Sequence, residues 1–480
     1  MTGPREEAVL GLDLGTGSIK AVAFSSDGLE VLGGASVPLH VSAPQAGWAE
    51  TAPQEWLDAA GRAVRRCLDQ CGNPAITGVG LSGQMHGVVL CRSDGTPTRN
   101  AVLWADTRSS SEAERLRHAS PQLQARIANP AVAGMAGPTL AWLGRHEPAS
   151  IRTADWALQP KDWLRLVLTG QVATEPSDAS ATLLWDLPAD EWCNEAFDLL
   201  EVPRRLAAPV AQSDAVAGTT VDGQPILAPG IPVVHGGGDT ACALFGAEAL
   251  VPGTAQISVG TGAQVVASLE SPGADPTART HLYRGVLPSS WYGMGAVQNA
   301  GLAFERAWRW LDVSWEQAYT LAEQAPPGAA GLTFVPHLSG ERTPHVDSRL
   351  RGAWIGLGLE HTRAHLVRSV LEGVAFGIRQ AVEALRFAGR QICRARLVGG
   401  GTLHPIWRRL LADVLHLPLT VVTRHDAAAR GAARLACLGL GIAVEIAGDQ
   451  IEETVEPSQP GGYDDAYRRF LARVPVRALP

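Results

Sequence analysis

The stretch that decides the fold is Val9-Leu-Gly-Leu-Asp-Leu-Gly-Thr-Gly-Ser-Ile-Lys-Ala-Val-Ala-Phe24, in which two apolar segments flank Gly-Thr-Gly. Two apolar segments joined by glycines predict a β-hairpin. Asp13 stands in the first segment, where an apolar residue is expected. Because a buried, unpaired carboxylate is costly, we predict that Asp13 faces a metal ion, a ligand or a network of hydrogen-bond donors.

The glycines of this bend do not fit the two commonest phosphate-binding loops. Lys20 stands where a dinucleotide-binding fingerprint has Gly or Ala. The sequence also contains no Gly-Lys-Ser or Gly-Lys-Thr, which a P-loop requires. If the bend binds phosphate, it does so in another way.

The hairpin pattern occurs a second time, in Gln256-Ile-Ser-Val-Gly-Thr-Gly-Ala-Gln-Val-Val266. The two bends are separated by about half of the 480-residue chain, so we predict two similar halves, a domain of residues 1–230 and a domain of residues 231–480. Each bend would present backbone N–H groups and a Thr hydroxyl to a polyphosphate lying between the halves. The predicted phosphate-binding residues are Gly15, Thr16, Gly17, Gly260, Thr261 and Gly262.

A carboxylate follows three glycines in Ile231-Pro-Val-Val-His-Gly-Gly-Gly-Asp-Thr-Ala-Cys-Ala-Leu-Phe-Gly246. The pattern predicts a buried strand, a glycine turn and a helix that begins near Asp239. Consecutive glycines let a ligand approach the backbone closely, and a helix N-terminus favours phosphate nearby. Asp is also a common helix N-cap, so these residues alone leave a catalytic and a capping role open.

Three further segments carry candidate binding residues. The predicted strand from Ile76 ends in a glycine-bounded loop with Met85 and His86, the usual ligand position in an α/β sheet, although a lone His is more often structural. Trp104 offers an aromatic wall, with Asp106 and Arg108 for polar contacts, or else a helix begins there with a cap at Asp106 or Thr107.

Three glycines at positions 399–401 follow another predicted strand and precede a predicted helix. Gly399, Gly400 and Gly401 would let a nucleotide base or ribose lie on the backbone. A tight turn between the strand and the helix explains the same glycines.

Composition points to small-molecule partners. A net charge of −8 gives no general attraction to nucleic acid or to an anionic membrane. The seven cysteines show no metal-ligand spacing, and the N-terminus lacks a signal-peptide pattern. No apolar run is long enough to span a membrane. We therefore expect a cytoplasmic protein with reduced cysteines.

Taken together, the motifs resemble the FGGY carbohydrate kinases, and among them the xylulokinases most closely. The resemblance covers almost the whole chain and is carried by Asp13-Leu-Gly-Thr-Gly17, Gly83-Gln-Met-His-Gly87, Gly236-Gly-Gly-Asp239, Ser258-Val-Gly-Thr261, Leu338-Ser-Gly-Glu-Arg-Thr-Pro-His345 and Gly399-Gly-Gly401. It implies an α/β fold with two actin-like, ribonuclease H-like domains and a cleft between them. It also implies phosphorylation of a ketose, D-xylulose, by ATP with Mg²⁺, and it suggests a homodimer.

The resemblance also implies roles for individual residues. Asp239 would be the general base, and Asp13 together with Asp239 would bind the metal ion. The substrate pocket would consist of Met85, His86, Trp104, Asp106 and Asp239. The ATP site would consist of Gly15, Thr16, Gly17, Lys20, Gly260, Thr261, Gly262, Gly399, Gly400 and Gly401.

Three positions depart from the family pattern. Thr240 follows the predicted base where Asn is common, Gly262 stands where Ser is frequent, and Thr139 stands where Lys is usual. A kinase for another ketose or a polyol therefore remains an alternative. A non-catalytic sensor of sugar or nucleotide is the alternative from a different functional class.

Overall fold

The computed structural model describes residues 7–247, 249, 251–399, 404–422, 426–444, 451–459 and 461–474. The described residues contain two seven-stranded sheets, one in each half of the chain, with helices packed around them. The elements of the first half are β1 (Glu7–Leu14), β2 (Ser18–Ser25), β3 (Val31–Pro38), β4 (Glu50–Thr51), α1 (Pro53–Gln70), β5 (Ala75–Gly83), β6 (Val89–Cys91), β7 (Ala101–Val102), α2 (Ser110–Arg117), α3 (Pro121–Ile127), α4 (Ala136–His146), α5 (Pro148–Thr153), β8 (Trp156–Leu158), α6 (Pro160–Thr169), α7 (Pro176–Ala179), β9 (Trp185–Asp186), β10 (Glu191–Trp192), α8 (Asn194–Leu200), β11 (Val216–Thr219), β12 (Pro232–Val234), β13 (Gly237–Gly238) and α9 (Asp239–Gly246).

The second half continues the same alternation of strands and helices. Its elements are β14 (Thr254–Val259), β15 (Ala263–Leu269), β16 (His281–Arg284), β17 (Trp291–Val297), α10 (Gly301–Leu311), α11 (Trp315–Glu323), β18 (Thr333–Val335), β19 (Ala353–Ile355), α12 (Arg363–Phe387), β20 (Arg394–Val398), α13 (Pro405–Leu415), β21 (Leu419–Val422), α14 (Ala427–Gly439), β22 (Ile451–Val455) and α15 (Asp464–Arg473).

The two sheets share one topology, which confirms the predicted repeat. In the first, the strand order is β11-β12-β5-β1-β2-β3, and β13 also pairs with β5. In the second, the order is β16-β17-β15-β14-β20-β21-β22. The hairpin β1–β2 corresponds to β14–β15, and each hairpin lies beside a parallel strand, β5 or β20. The result is the two-domain α/β architecture that the sequence predicts.

The first sheet continues past residue 230. Strands β12 and β13 pair with β5, so residues 232–238 belong to the sheet of the first half. The predicted boundary between residues 230 and 231 stays a prediction.

Helix α14 lies late in the chain but packs on the first sheet. A Cβ atom on Gly80 of β5 would collide with the carbonyl oxygen of Ala432, and one on Gly431 would collide with that of Cys242 in α9. Contact this close requires glycine on the facing surfaces. The last part of the chain thus returns to the first half and supports the helix that begins at Asp239.

Among the residues described above, no helix is both long enough and apolar enough to cross a bilayer.

We predict that Gly80→Ala destabilises the protein by about 1–3 kcal/mol, because an added methyl group would force α14 away from β5. Gly144→Ala is the matched control. Gly144 lies within α4 with open space around its Cβ position, and Ala favours a helix by roughly 0.5–1 kcal/mol. Thermal unfolding should give a lower midpoint for Gly80→Ala and an unchanged or higher one for Gly144→Ala. Equal midpoints for Gly80→Ala and the wild type would contradict the close packing.

Candidate active site

Strand register brings the two predicted catalytic carboxylates to one end of the first sheet. Asp13 on β1 is aligned with Ser82 on β5, and Ser82 is aligned on its other side with Gly237 on β13. Two strand spacings separate Asp13 from Gly237, or about 10 Å. Asp239 follows two residues later, at the start of α9. Both carboxylates therefore lie at the carboxyl ends of parallel strands, where ligands bind in α/β sheets.

The two carboxylates influence each other. Burial raises the pKa of Asp239 to about 6, and the negative charge of Asp13 adds to this effect. Burial also raises the pKa of Asp13, although the Ser82 hydroxyl donates a hydrogen bond of 3.0 Å to its Oδ1 and works in the opposite direction. Two half-buried carboxylates that repel each other are suited to bind a cation or to accept a proton.

Asp239 is the first residue of α9, and Gly238 is the N-cap. The Oδ1 atom of Asp239 accepts hydrogen bonds from the backbone N–H of Thr240 at 2.6 Å and from the Thr240 hydroxyl at 3.2 Å. The carboxylate thus bonds the first helical turn without serving as the cap. The Thr240 hydroxyl is directed towards this carboxylate.

Met85 lies directly against the segment that carries Asp239. A Cβ atom on Gly238 would come within 2.9 Å of the Met85 Cγ atom. The Tyr292 hydroxyl approaches the Met85 sulfur atom at 3.5 Å from the other half of the chain. The loop predicted to bind substrate therefore adjoins the predicted base.

His86 is held in a left-handed backbone conformation with φ of 71°. Its Nδ1 atom lies 2.9 Å from the carbonyl oxygen of Ala181, which only accepts, so Nδ1 carries the proton. Burial lowers the pKa of His86 to about 4, and the charge of Arg342 lowers it further. The ring is neutral at neutral pH, and Nε2 can accept a hydrogen bond from a ligand hydroxyl.

The first Gly-Thr-Gly bend is connected to the substrate loop by side-chain hydrogen bonds. The Thr16 hydroxyl donates to Gln84 Oε1 at 3.1 Å and accepts from the Trp104 indole N–H at 2.8 Å. Gln84 Nε2 donates in turn to the carbonyl oxygen of Gly15 at 3.3 Å. The Thr16 proton is thus already used, which leaves the backbone of this bend, with exposed Gly17, for a phosphate.

The second bend leads into α10. The carbonyl oxygen of Gly260 accepts a hydrogen bond of 3.0 Å from the N–H of Gly301, the first residue of α10. The Thr261 side chain is exposed and forms no hydrogen bond within the described ranges. Gly262 allows a close approach, since a Cβ atom there would lie 2.6 Å from the carbonyl oxygen of Val297. The Thr261 hydroxyl is therefore available to a ligand, unlike its counterpart Thr16.

The predicted adenosine-binding glycines fall only partly within the described residues. Gly399 has φ of 99°, and a Cβ atom there would lie 2.6 Å from the carbonyl oxygen of Val259. It therefore adjoins the second bend, which begins at Gly260. Gly400 and Gly401 lie outside the described residues.

Two other predicted ligand contacts already have protein partners. Lys20 Nζ lies 3.0 Å from Asp426 Oδ1. Asp106 is about 2% exposed, and its oxygens accept from the Ala49 N–H at 2.7 Å and from Arg108. Ser109, not Asp106, occupies the N-cap position of α2. The ligand contacts of Lys20 and Asp106 stay predictions.

A fully buried charge cluster, which the sequence motifs do not predict, lies behind this site. Lys161 Nζ lies 2.7 Å from Asp162 Oδ1, 2.9 Å from Asp178 Oδ2 and 3.4 Å from Glu175 Oε1. Burial opposes the charge of Lys161, but the three carboxylates raise its pKa above the ordinary value. The available signal was that Lys161 is one of only two lysines in the chain.

The charge cluster is linked to the segment that carries Asp239 through Ser177. The Ser177 hydroxyl donates to Glu175 Oε1 at 2.6 Å and accepts from the Gly238 N–H at 2.9 Å. The Lys161 side chain also packs against Gly83, at 2.9 Å from the position of a Cβ atom there. The cluster thus supports the ends of both β5 and β13.

Within the described ranges, no group of three or more His, Cys, Asp and Glu residues could hold a metal ion. The pair Asp13 and Asp239 still fits Mg²⁺, because this ion is commonly bound through one or two carboxylates together with substrate phosphates.

The sequence matches known proteins over nearly its whole length. Residues 8–246 match the N-terminal domain of the FGGY family of carbohydrate kinases, and residues 255–440 match its C-terminal domain. A xylulose kinase of Staphylococcus epidermidis is 31% identical over 97% of this chain and 95% of that protein. A xylulose kinase of Escherichia coli is 32% identical over 89% of each chain.

A solved structure shows the same similarity in three dimensions. The crystal structure of xylulose kinase from Rhodospirillum rubrum superposes with a TM-score of 0.89 and 28% sequence identity, covering 97% of this chain and 98% of that one. Both family domains match in order, and each matched range contains one of the two Gly-Thr-Gly hairpins. The chain belongs to the FGGY family of carbohydrate kinases.

Proposed function

We propose that the protein transfers the γ-phosphoryl group of ATP to the terminal hydroxyl of D-xylulose, which gives D-xylulose 5-phosphate. The observation that carries this proposal is the contact of Met85 with Gly238, because it sets the loop of Met85 and His86 beside the carboxylate of Asp239. The relatives named above, each a xylulose kinase, support the same substrate.

Asp239 acts in this proposal as the general base. The sugar hydroxyl gives its proton to Asp239 while its oxygen forms a bond to the γ-phosphorus and the bond to the leaving ADP breaks. A pKa of about 6 leaves the carboxylate mostly ionised at neutral pH and makes it more basic than an ordinary Asp. A positioned base of this kind typically contributes about 100- to 10,000-fold to the rate.

The two bends and the carboxylate pair would hold ATP and Mg²⁺. The free hydroxyl of Thr261 and the backbone of Gly15 to Gly17 would bind the phosphates, and Gly399 would lie nearer the adenosine. Asp13 and Asp239 would hold the magnesium ion, which neutralises charge on the phosphates. The homodimer and the cytoplasmic location suggested by the sequence remain predictions.

A kinase for another ketose or a polyol is the second candidate, and Thr240 favours it. The Thr240 hydroxyl donates to Asp239 at 3.2 Å, so it supports the base. The Asn expected here from the family would offer a sugar both a donor and an acceptor. A non-catalytic sensor is disfavoured, because Asp13 and Asp239, the two carboxylates to which this proposal gives catalytic roles, are both present.

We expect Asp239→Asn to lower kcat for D-xylulose phosphorylation by about 100- to 10,000-fold while ATP still binds, because the amide cannot accept the hydroxyl proton. Coupled ADP release measures turnover, and calorimetry measures ATP binding. Asp27→Asn, at an exposed position in the turn after β2, is the control and should behave as the wild type.

Turnover retained by Asp239→Asn would remove Asp239 from the role of base. A panel of pentuloses, hexuloses and polyols tests the substrate separately. A low rank for D-xylulose would contradict the proposed substrate and leave the base intact.

We also predict an acidic limb in the pH profile of kcat/KM, with an apparent pKa of about 6. Activity should fall as the pH drops below this value, because Asp239 becomes protonated and can no longer accept the proton. Circular dichroism at each pH shows whether the protein stays folded. A folded protein whose kcat/KM stays constant down to pH values near 4 would contradict the raised pKa of the base.

A further inference from the structure

Arg342 is held between two buried anchor residues in the loop of residues 337–347. Glu341 Oε1 accepts hydrogen bonds from the backbone N–H of Gln298 at 2.6 Å and from that of Arg342 at 2.9 Å. Thr343 forms a backbone bond of 2.9 Å to Ala296, and its hydroxyl accepts from the Ala296 N–H at 3.0 Å. The backbone on both sides of Arg342 is therefore fixed to the second sheet, and its side chain leaves the loop from a defined position.

The guanidinium group of Arg342 has an aromatic neighbour, and the negative charge of Glu341 acts on it, but within the described residues no acceptor forms a hydrogen bond with it. Its central carbon lies 5.4 Å from the centroid of the Trp104 ring, within the range of a cation–π contact. In the described part of the chain, no hydrogen bond or ion pair involves this guanidinium group. Burial lowers the pKa of Arg342, which shows that the charge is partly removed from water. Partly desolvated N–H donors without acceptors are costly, and a ligand oxygen would supply the missing acceptor.

The charge of Arg342 acts on a residue of the substrate loop. Its positive charge lowers the pKa of His86 and of His281, in both cases after the larger effect of burial. The His86 ring lies 5.9 Å from that of Tyr283, centroid to centroid. The charge that acts on Asp239 is instead that of Asp13. Arg342 thus lies beside Trp104 and near enough to His86 for its charge to act on that ring.

We propose that Arg342 binds a carbonyl oxygen at the end of the substrate opposite the phosphorylated hydroxyl, and so selects oxidised sugars over polyols. This inference rests on the proposed kinase function. A guanidinium group has five N–H donors and no acceptor, so it can only donate. A ketone or carboxylate oxygen accepts two such bonds in the plane of the group, whereas a polyol hydroxyl in that position needs an acceptor for its own proton.

The test compares kcat/KM for D-xylulose, its reduced analogue xylitol and its oxidised analogue D-xylonate. Arg342→Met keeps an unbranched apolar stem without the donors, and Arg342→Lys keeps the charge without the planar group. We expect the ratio of D-xylulose to xylitol to fall by about 10- to 100-fold in Arg342→Met, with partial recovery in Arg342→Lys. Arg349→Met, an exposed position near the same loop, is the matched control and should leave the ratio unchanged.

The outcomes separate this inference from the proposed function. A wild type that phosphorylates D-xylulose, together with an unchanged ratio in Arg342→Met, would overturn the role of Arg342 and leave the function standing. A wild type that phosphorylates no ketose would overturn the proposed function itself. If the wild type has a higher kcat/KM for D-xylonate than for D-xylulose and Arg342→Met loses this difference, the oxygen that Arg342 binds belongs to a carboxylate. If Arg342→Met is inactive, calorimetric dissociation constants for the same three sugars give the ratio.

Discussion

The site depends on the pairing of two glycines with the end of β5. Gly237 and Gly238 lie beside Ser82 and Gly83, and this pairing directs the chain into α9 with Asp239 as its first residue. Side chains would prevent it, because a Cβ atom on Gly237 would collide with Val286 and one on Gly238 would press into Met85. Without this approach, the predicted base would adjoin neither Asp13 nor the substrate loop. The three glycines before Asp239 are thus explained mainly by packing.

Charge is arranged in two layers around this pairing. Behind it, Lys161 neutralises part of the negative charge of a buried group of carboxylates. The Ser177 hydroxyl connects this group to the segment of Asp239 by accepting a hydrogen bond from the N–H of Gly238. In front of it, neither Asp13 nor Asp239 forms an ion pair within the described residues, and burial raises the pKa values of both. A buried layer of paired charges gives rigidity, whereas two carboxylates without ion pairs are suited to a metal ion and a proton.

The sequence was sufficient for the features that depend on local pattern. Both hairpins, their repetition and the position of Asp239 at a helix start follow from apolar periodicity and glycine placement. Features that depend on contacts between residues far apart in the chain could not be predicted from the sequence. The return of α14 to the first sheet, the cluster around Lys161 and the hydrogen bond from the Ala49 N–H to Asp106 join residues from separate parts of the chain, and no local pattern encodes such a pairing. The cation–π contact of Arg342 with Trp104 also joins residues that lie far apart in the sequence.

The central claim is that a sugar hydroxyl and a carboxylate meet at the start of α9. A crystal structure of the protein with D-xylulose and a non-hydrolysable ATP analogue tests it most directly. We predict the terminal hydroxyl about 2.6–3.2 Å from a carboxylate oxygen of Asp239, with the sugar chain along Met85 and His86. A sugar bound elsewhere, or one whose terminal hydroxyl points away from Asp239 while the analogue occupies the two Gly-Thr-Gly bends, would contradict the account.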